Sequence, residues 1–211
     1  MFAAGDMPPY QVVEPLVRRR VAQDAFVVAA DGGLAHAAAL GVEPQLIVGD
    51  FDSVSPALLA RYPARLIERH AVEKDELDLE LALAAAQRAG VSEVSVVGAF
   101  GDRFDQGLAA VLIAARLTGE GLRIDLHGGE HSAWPLSAGM TLDVELPAGT
   151  TVSVISLVGD AVVSGTGLAY ALADLQLPFG SGLGVSNAVA GHGATITCLA
   201  GSVAVIAEHG H

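Results

Sequence analysis

Asp50 and Asp52 stand one residue apart at the end of the apolar run Leu46-Ile47-Val48-Gly49, followed by Ser53. Two carboxylates so spaced at a strand terminus can hold a hard divalent cation. Magnesium takes oxygen ligands and is commonly held by one or two carboxylates together with substrate phosphates, so this pattern suits a metal-nucleotide site. The same residue types also build turns, and Ser53 or Ser55 could cap a helix starting at Pro56. A second acid cluster, Glu73-Lys74-Asp75-Glu76-Leu77-Asp78, opens a helix. Carboxylates there complement the helix macrodipole, and Lys74 adds a cation able to reach a phosphate while the acids take metal. In Gly98-Ala99-Phe100-Gly101-Asp102-Arg103-Phe104-Asp105-Gln106 the informative residue is Arg103, because guanidinium pairs bidentately with phosphate oxygens and the chain has only 11 Lys and Arg. A surface ion pair with Asp102 or Asp105 is the competing reading. Asp31-Gly32-Gly33 ends another apolar run; its glycines would let a phosphate approach the start of the next helix.

These residues need a scaffold that brings separate loops to one place. From Phe2 to Leu126 the chain alternates short Val- and Ile-rich runs with helical segments. A strand stub at Phe2–Ala4 precedes a helix over about 11–23. Strands over 25–30, 46–49, 65–67, 93–97 and 123–127 alternate with helices over 34–40, 56–62, from 78 to about 87 or 89, and up to about 117. That alternation predicts a doubly wound, mainly parallel α/β sheet, whose ligands bind at the carboxyl ends of its strands. After Gly128-Gly129 the helical period fades. Short β-like runs at 140–146, 151–157, 161–163, 167–172, 185–190, 193–199 and 202–207 are separated by turn residues, which predicts an antiparallel β-sandwich. The expected domains are residues 1–129 and 130–211.

Composition narrows the partners. A formal charge of -13 repels phosphate backbones and anionic membrane surfaces, so nucleic acid and membrane are not expected partners, whereas a cationic small molecule is favoured. The single cysteine, Cys198, lies in an apolar run and reads as core, consistent with a reducing compartment. The first residues lack a secretory signal and no run spans a bilayer despite a mean hydropathy of +0.49, so a cytoplasmic location is expected.

The ordered set Asp31-Gly32-Gly33, Gly49-Asp50-Phe51-Asp52-Ser53, Lys74-Asp75-x-x-Asp78 and Gly98-Ala99-x-Gly101-x-Arg103-x-Asp105-Gln106, followed by Gly167-Leu168-x-Tyr170 and Ser186-Asn187, resembles the thiamin pyrophosphokinase family. The resemblance implies an ATP-dependent diphosphotransferase in which the thiamin hydroxyl attacks the β-phosphorus of magnesium ATP and AMP leaves. It implies residues 1–129 as the ATP- and magnesium-binding catalytic domain, residues 130–211 as a β domain serving the thiamin site and dimerisation, and a homodimer with thiamin held between one subunit's α/β domain and the other's β domain. By position, Asp50, Asp52 and Asp78 would hold magnesium, with Asp31 and Asp75 nearby. Arg103 and Asp105 would act at the nucleotide, and Gly32, Gly33, Ser53, Lys74 and Gln106 would contact it. Tyr170, Ser186 and Asn187 would serve thiamin. Leu77, Asp102 and Ala169 depart from the family's usual threonine, glycine and lysine. Asp75 and Asp105 are both candidates for the base that takes the hydroxyl proton, and Tyr170 or Trp134 for a cation-π contact with the thiazolium. Two other functions fit the same residues: diphosphate transfer to another alcohol such as a hydroxymethylpterin, and nucleotide binding without turnover.

Overall fold

A computed structural model describes residues 1–71, 73 and 75–209. They form two compact units, Met1–Ala110 with Leu126–Gly129, and Val111–Asp125 with the chain from Glu130 onward. In chain order the first unit holds α1 (Tyr10–Ala22), β1 (Val28–Ala30), α2 (Gly33–Ala39), β2 (Leu46–Gly49), α3 (Pro56–Leu59), β3 (Ile67–Arg69), α4 (Asp78–Arg88) and β4 (Glu93–Val97). The next elements, α5 (Phe104–Gly119) and β5 (Arg123–Gly128), carry residues of both units.

β1 pairs in parallel with β2, and β2 with β3. Successive side chains of a strand point to opposite faces, and here both faces are covered. Ala29 and Ile47 pack with Leu34, Val54 and Tyr62, while Val28, Ala30 and Val48 pack with Ala82 and Ala85 of α4. That two-sided burial is why the strands read as continuous apolar runs.

The short run from Met1 to Gly5 proves to be the central strand. The Phe2 amide donates to Val28 O (2.8 Å) and the Ala30 amide to Phe2 O (2.7 Å). On the other edge the Ala3 amide donates to Val97 O (2.7 Å) and the Gly5 amide to Gly98 O (2.8 Å). In space the order is therefore β3, β2, β1, residues 1–5, β4. The chain leaves its central strand toward β1 and arrives last at β4 on the opposite side. Connections reverse direction between residues 1–5 and β4, and the carboxyl ends of strands at such a point form a ligand crevice.

The second unit is a sandwich of antiparallel strands: β6 (His131–Ser137), β7 (Thr141–Val144), β8 (Thr151–Ser156), β9 (Ala161–Thr166), β10 (Leu172–Leu177), β11 (Asn187–Ala188), β12 (Ala194–Ala200) and β13 (Ser202–Glu208). One sheet runs β11-β8-β13-β6 and the other β10-β9-β12-β7. Val152, Val154, Val203 and Val205 from the first meet Val163, Ile196 and Cys198 from the second in one core. Trp134 packs against that core from β6. Two local expectations change. β6 is a full strand where none was predicted, seating Pro135 opposite Ala204. The predicted strand over 167–172 is instead a turn and a single bridge, Leu168 to Val189, and the strand begins at Leu172. Gly167, at φ 77°, adopts a left-handed conformation that takes the chain out of any ladder.

Candidate active site

Two strand ends and a helix start deliver one carboxylate each to a single point. Asp31 follows β1, Asp50 follows β2, and Asp78 is the first residue of α4. One oxygen from each lies within 4.8 Å of the others. The parallel register that sets Ala30 beside Val48 brings Asp31 and Asp50 together, and Gly49 makes the approach possible. A side chain at position 49 would put its Cβ 3.0 Å from the Asp31 Cβ. Asp31 itself is buried and left-handed, at φ 42°. Its Oδ2 accepts a hydrogen bond from the Ser53 hydroxyl, while its Oδ1 is buried and accepts none from any described residue. A buried carboxylate oxygen without a partner costs about 1–3 kcal/mol or more, and three clustered anions repel one another. A hard divalent cation removes both penalties, so this all-oxygen set fits magnesium.

Asp52, expected as a ligand alongside Asp50 and Asp78, lies outside this group. Its side chain is exposed, and its backbone N–H donates to Asp50 Oδ1 (3.2 Å). The turn responsible passes through Phe51 at φ 66°. Arg69 braces that turn: its guanidinium donates to Asp50 O (3.0 Å) and stacks 4.7 Å from the Phe51 ring centroid. Nothing in the local sequence marks Arg69. It reaches the site through the β2–β3 register, which pairs it with Gly49.

Beside the acids is a cavity of about 610 Å³ at the reversal point of the sheet. Gly5 and Asp6 line it from the central strand, Gly98 to Arg103 from the loop after β4, and Gln106 and Gly107 from α5. Asp31, Asp50, Asp52, Ser53, Leu77 and Asp78 also line it. Arg103, Gln106 and Ser53 thus share this space with the three carboxylates. Gly32 and Gly33 do not line it; Gly33 packs against the backbone of Phe2. Asp75 is exposed and also lies off the wall. Lys74 falls outside the described residues. Tyr170, Ser186 and Asn187 come together in the second unit, where Asn187 begins β11 and Tyr170 precedes β10. Asp6 is a wall residue that the sequence alone did not single out.

Arg103 grips Asp105 with a bidentate pair, Nε to Oδ1 at 2.9 Å and Nη2 to Oδ2 at 2.6 Å. The hydrogen bonds from this guanidinium hold the Asp105 carboxyl down to about 2, against an ordinary 3.8, and the same pairing raises the Arg103 pKa. Both groups are exposed, so the pair orients the guanidinium more than it stabilises the fold. Because the folded-state pKa is depressed, the pair is intact above the ordinary carboxylate range and is lost only as pH falls toward 2. NMR titration of the Asp105 carboxyl is expected to give a midpoint near 2, returning to the ordinary value in Arg103→Gln. An ordinary midpoint in the unsubstituted protein would contradict the pairing.

Residues 17–126, over half of the chain, match the family described as "Thiamin pyrophosphokinase, catalytic domain". The chain belongs to the thiamin pyrophosphokinase family. Residues 140–203 match a second description, "Thiamin pyrophosphokinase, vitamin B1 binding domain". Among solved structures, the thiamine pyrophosphokinase of Bacillus subtilis superposes with a TM-score of 0.82 at 23% identity, over 99% of this chain and 98% of that one. A thiamin pyrophosphokinase family protein from Enterococcus faecalis gives 0.78 at 26% identity, over 99% and 97%. The Candida albicans thiamin pyrophosphokinase gives 0.75 at 16% identity, over 99% and 88%. Likeness at 16% or 23% identity speaks for the fold alone. No curated protein matches the sequence significantly. As a thiamin pyrophosphokinase the chain is an ATP-dependent diphosphotransferase with thiamin and ATP as substrates. No helix among the described residues is long and apolar enough to cross a membrane.

Proposed function

We propose that Asp31, Asp50 and Asp78 hold one magnesium ion that binds the ATP polyphosphate in the adjoining cavity, where thiamin accepts the diphosphate. The convergence of these three carboxylates from separate segments of the chain is the observation that carries the reading. When bound, magnesium supplies charge neutralisation and alignment of the phosphate oxygens. The chain's own residues do the rest. Ser53 holds the Oδ2 of Asp31 and leaves its Oδ1 without a hydrogen bond from any described residue. Arg103, already oriented by Asp105, has further N–H donors that can meet phosphate oxygens at the cavity wall. The thiamin hydroxyl oxygen bonds to the β-phosphorus as the bond from that phosphorus to the α,β-bridging oxygen breaks, and AMP leaves with the electron pair. Of the two candidates for the hydroxyl proton, Asp105 is the poorer base, because both oxygens are engaged and its pKa is near 2. Asp75, three residues before Asp78 and off the cavity wall, is the proposed acceptor, taking the proton through one water.

In this reading residues 1–129 bind ATP and magnesium and residues 130–211 serve thiamin and dimerisation, in a cytoplasmic homodimer. Light scattering at micromolar concentration should give twice the chain mass. Purified protein with ATP, magnesium and thiamin should release AMP and form thiamin diphosphate. Release of ADP, no nucleotide turnover, or preference for a hydroxymethylpterin in competition would overturn the assignment.

A further inference from the structure

Asn187 lies within residues 140–203, which match a vitamin B1 binding domain, yet its side chain is already committed inside the protein. It is 7% exposed. Its Oδ1 accepts the backbone N–H groups of Tyr170 (3.0 Å) and Ala188 (2.9 Å), and its Nδ2 donates to Tyr170 O (2.7 Å). A carboxamide offers two lone pairs and two N–H groups, so both acceptor positions and one donor are spent inside the protein. Two of the three bonds clamp the main chain of Tyr170 from both sides of its peptide units. The neighbouring main chain is fastened in the same direction: the Ala169 amide donates to Ala188 O, and the Ala190 amide to Gly167 O, both at 2.8 Å.

The clamp holds an aromatic ring out into solvent. Tyr170 is 73% exposed although its backbone is tied at both ends. Beside it Ser186 is exposed and left-handed, at φ 62°, with its amide donating to Ser153 Oγ (3.1 Å). A large exposed ring on a fixed stalk presents a π face without the ordering cost a mobile loop would bring. The thiazolium of thiamin is a cation suited to that face.

We infer that Asn187 is a positioning residue for thiamin: it acts by fixing the main chain of Tyr170, and Tyr170 and Ser186 make the contacts. This rests on the proposed use of the second unit by thiamin. Its consequence is that Asn187 and Tyr170 form one unit, so their effects on thiamin affinity do not add.

A double-mutant cycle tests it in the full-length enzyme, reading KM for thiamin, KM for ATP, and thiamin binding by calorimetry. Asn187→Ala and Tyr170→Ala should each raise the KM for thiamin about 10-fold and leave the KM for ATP within about twofold. In the Tyr170→Ala background, Asn187→Ala should add less than about twofold. Should thermal unfolding show that Asn187→Ala does not fold, Asn187→Asp serves in the same cycle, since it keeps an acceptor for the Tyr170 amide and sets an anionic oxygen against Tyr170 O in place of the Nδ2 donor. Equal penalties for the Asn187 substitution in both backgrounds mean direct contact with thiamin and overturn the inference, as does a Tyr170→Ala enzyme with unchanged KM for thiamin. Failure of the underlying reading is distinct: the unsubstituted enzyme would then neither bind thiamin nor release AMP in its presence.

Discussion

Asp31→Asn is expected to lower kcat for AMP release by about a thousand-fold without loss of the fold. The substitution preserves shape. The amide oxygen can still accept from the Ser53 hydroxyl, and Gly49 still leaves room for the Cβ. What disappears is one of three negative charges whose oxygens lie within 4.8 Å of one another. Without metal, the loss relieves repulsion, so the thermal midpoint of the apoprotein should hold or rise. With magnesium and a non-hydrolysable ATP analogue, the unsubstituted protein should gain a ligand-dependent rise in midpoint that the variant lacks. Asp52→Asn separates charge in general from position. Asp52 shares the cavity wall but not the cluster, so its loss should reduce kcat about 10-fold or less. Equal losses in the two variants would mean that the cavity's net charge, and not the converging set, supports turnover.

Gly33→Ala is expected to cost more than about 3 kcal/mol of stability, enough to leave little soluble protein. An added Cβ would lie 2.3 Å from Phe2 O and 2.7 Å from the Ala3 nitrogen. Both are main-chain atoms of the central strand, hydrogen-bonded on both edges, so no rotamer change relieves the clash. Gly41→Ala is the matched control. At φ 66° it pays left-handed strain, but nothing lies within 4 Å of the new methyl, so the cost should be about 1 kcal/mol. Urea unfolding measures both, and a Gly33→Ala protein as stable as Gly41→Ala would refute the proposed packing of α2 on the first strand.

The parallel α/β unit and the antiparallel sandwich are readable from sequence because their burial differs. Strands covered on both faces become unbroken apolar runs such as Ile47-Val48, while those covered on one face alternate, as Thr151–Ser156 does. Asp50 and Asp78 are readable for a related reason, since each marks the end of a strand or the start of a helix. The first strand is readable as a stub at Phe2–Ala4, but its central place is not, because that place lies in hydrogen bonds to β1 and β4. β6 hides behind Trp134-Pro135, a pair that argues against a ladder until Ala204 is seen opposite the proline. Within the site, the place of Asp31 follows from strand register, and the separation of Asp52 from Asp50 follows from the left-handed Phe51 between them. Neither is a property of neighbouring residue types. Arg69 and Asp6 likewise reach the site through pairing between strands distant in sequence.

Direct measurement of divalent-ion binding bears most closely on the shared-cation site. Mn²⁺ electron paramagnetic resonance, titrated with protein and a non-hydrolysable ATP analogue, should show one tightly held ion per chain. Asp31→Asn, Asp50→Asn and Asp78→Asn should each weaken that binding at least about tenfold, while Asp52→Asn stays within a few-fold of the unsubstituted protein. Undiminished manganese binding in any of the three cluster variants would contradict a cation shared by those carboxylates.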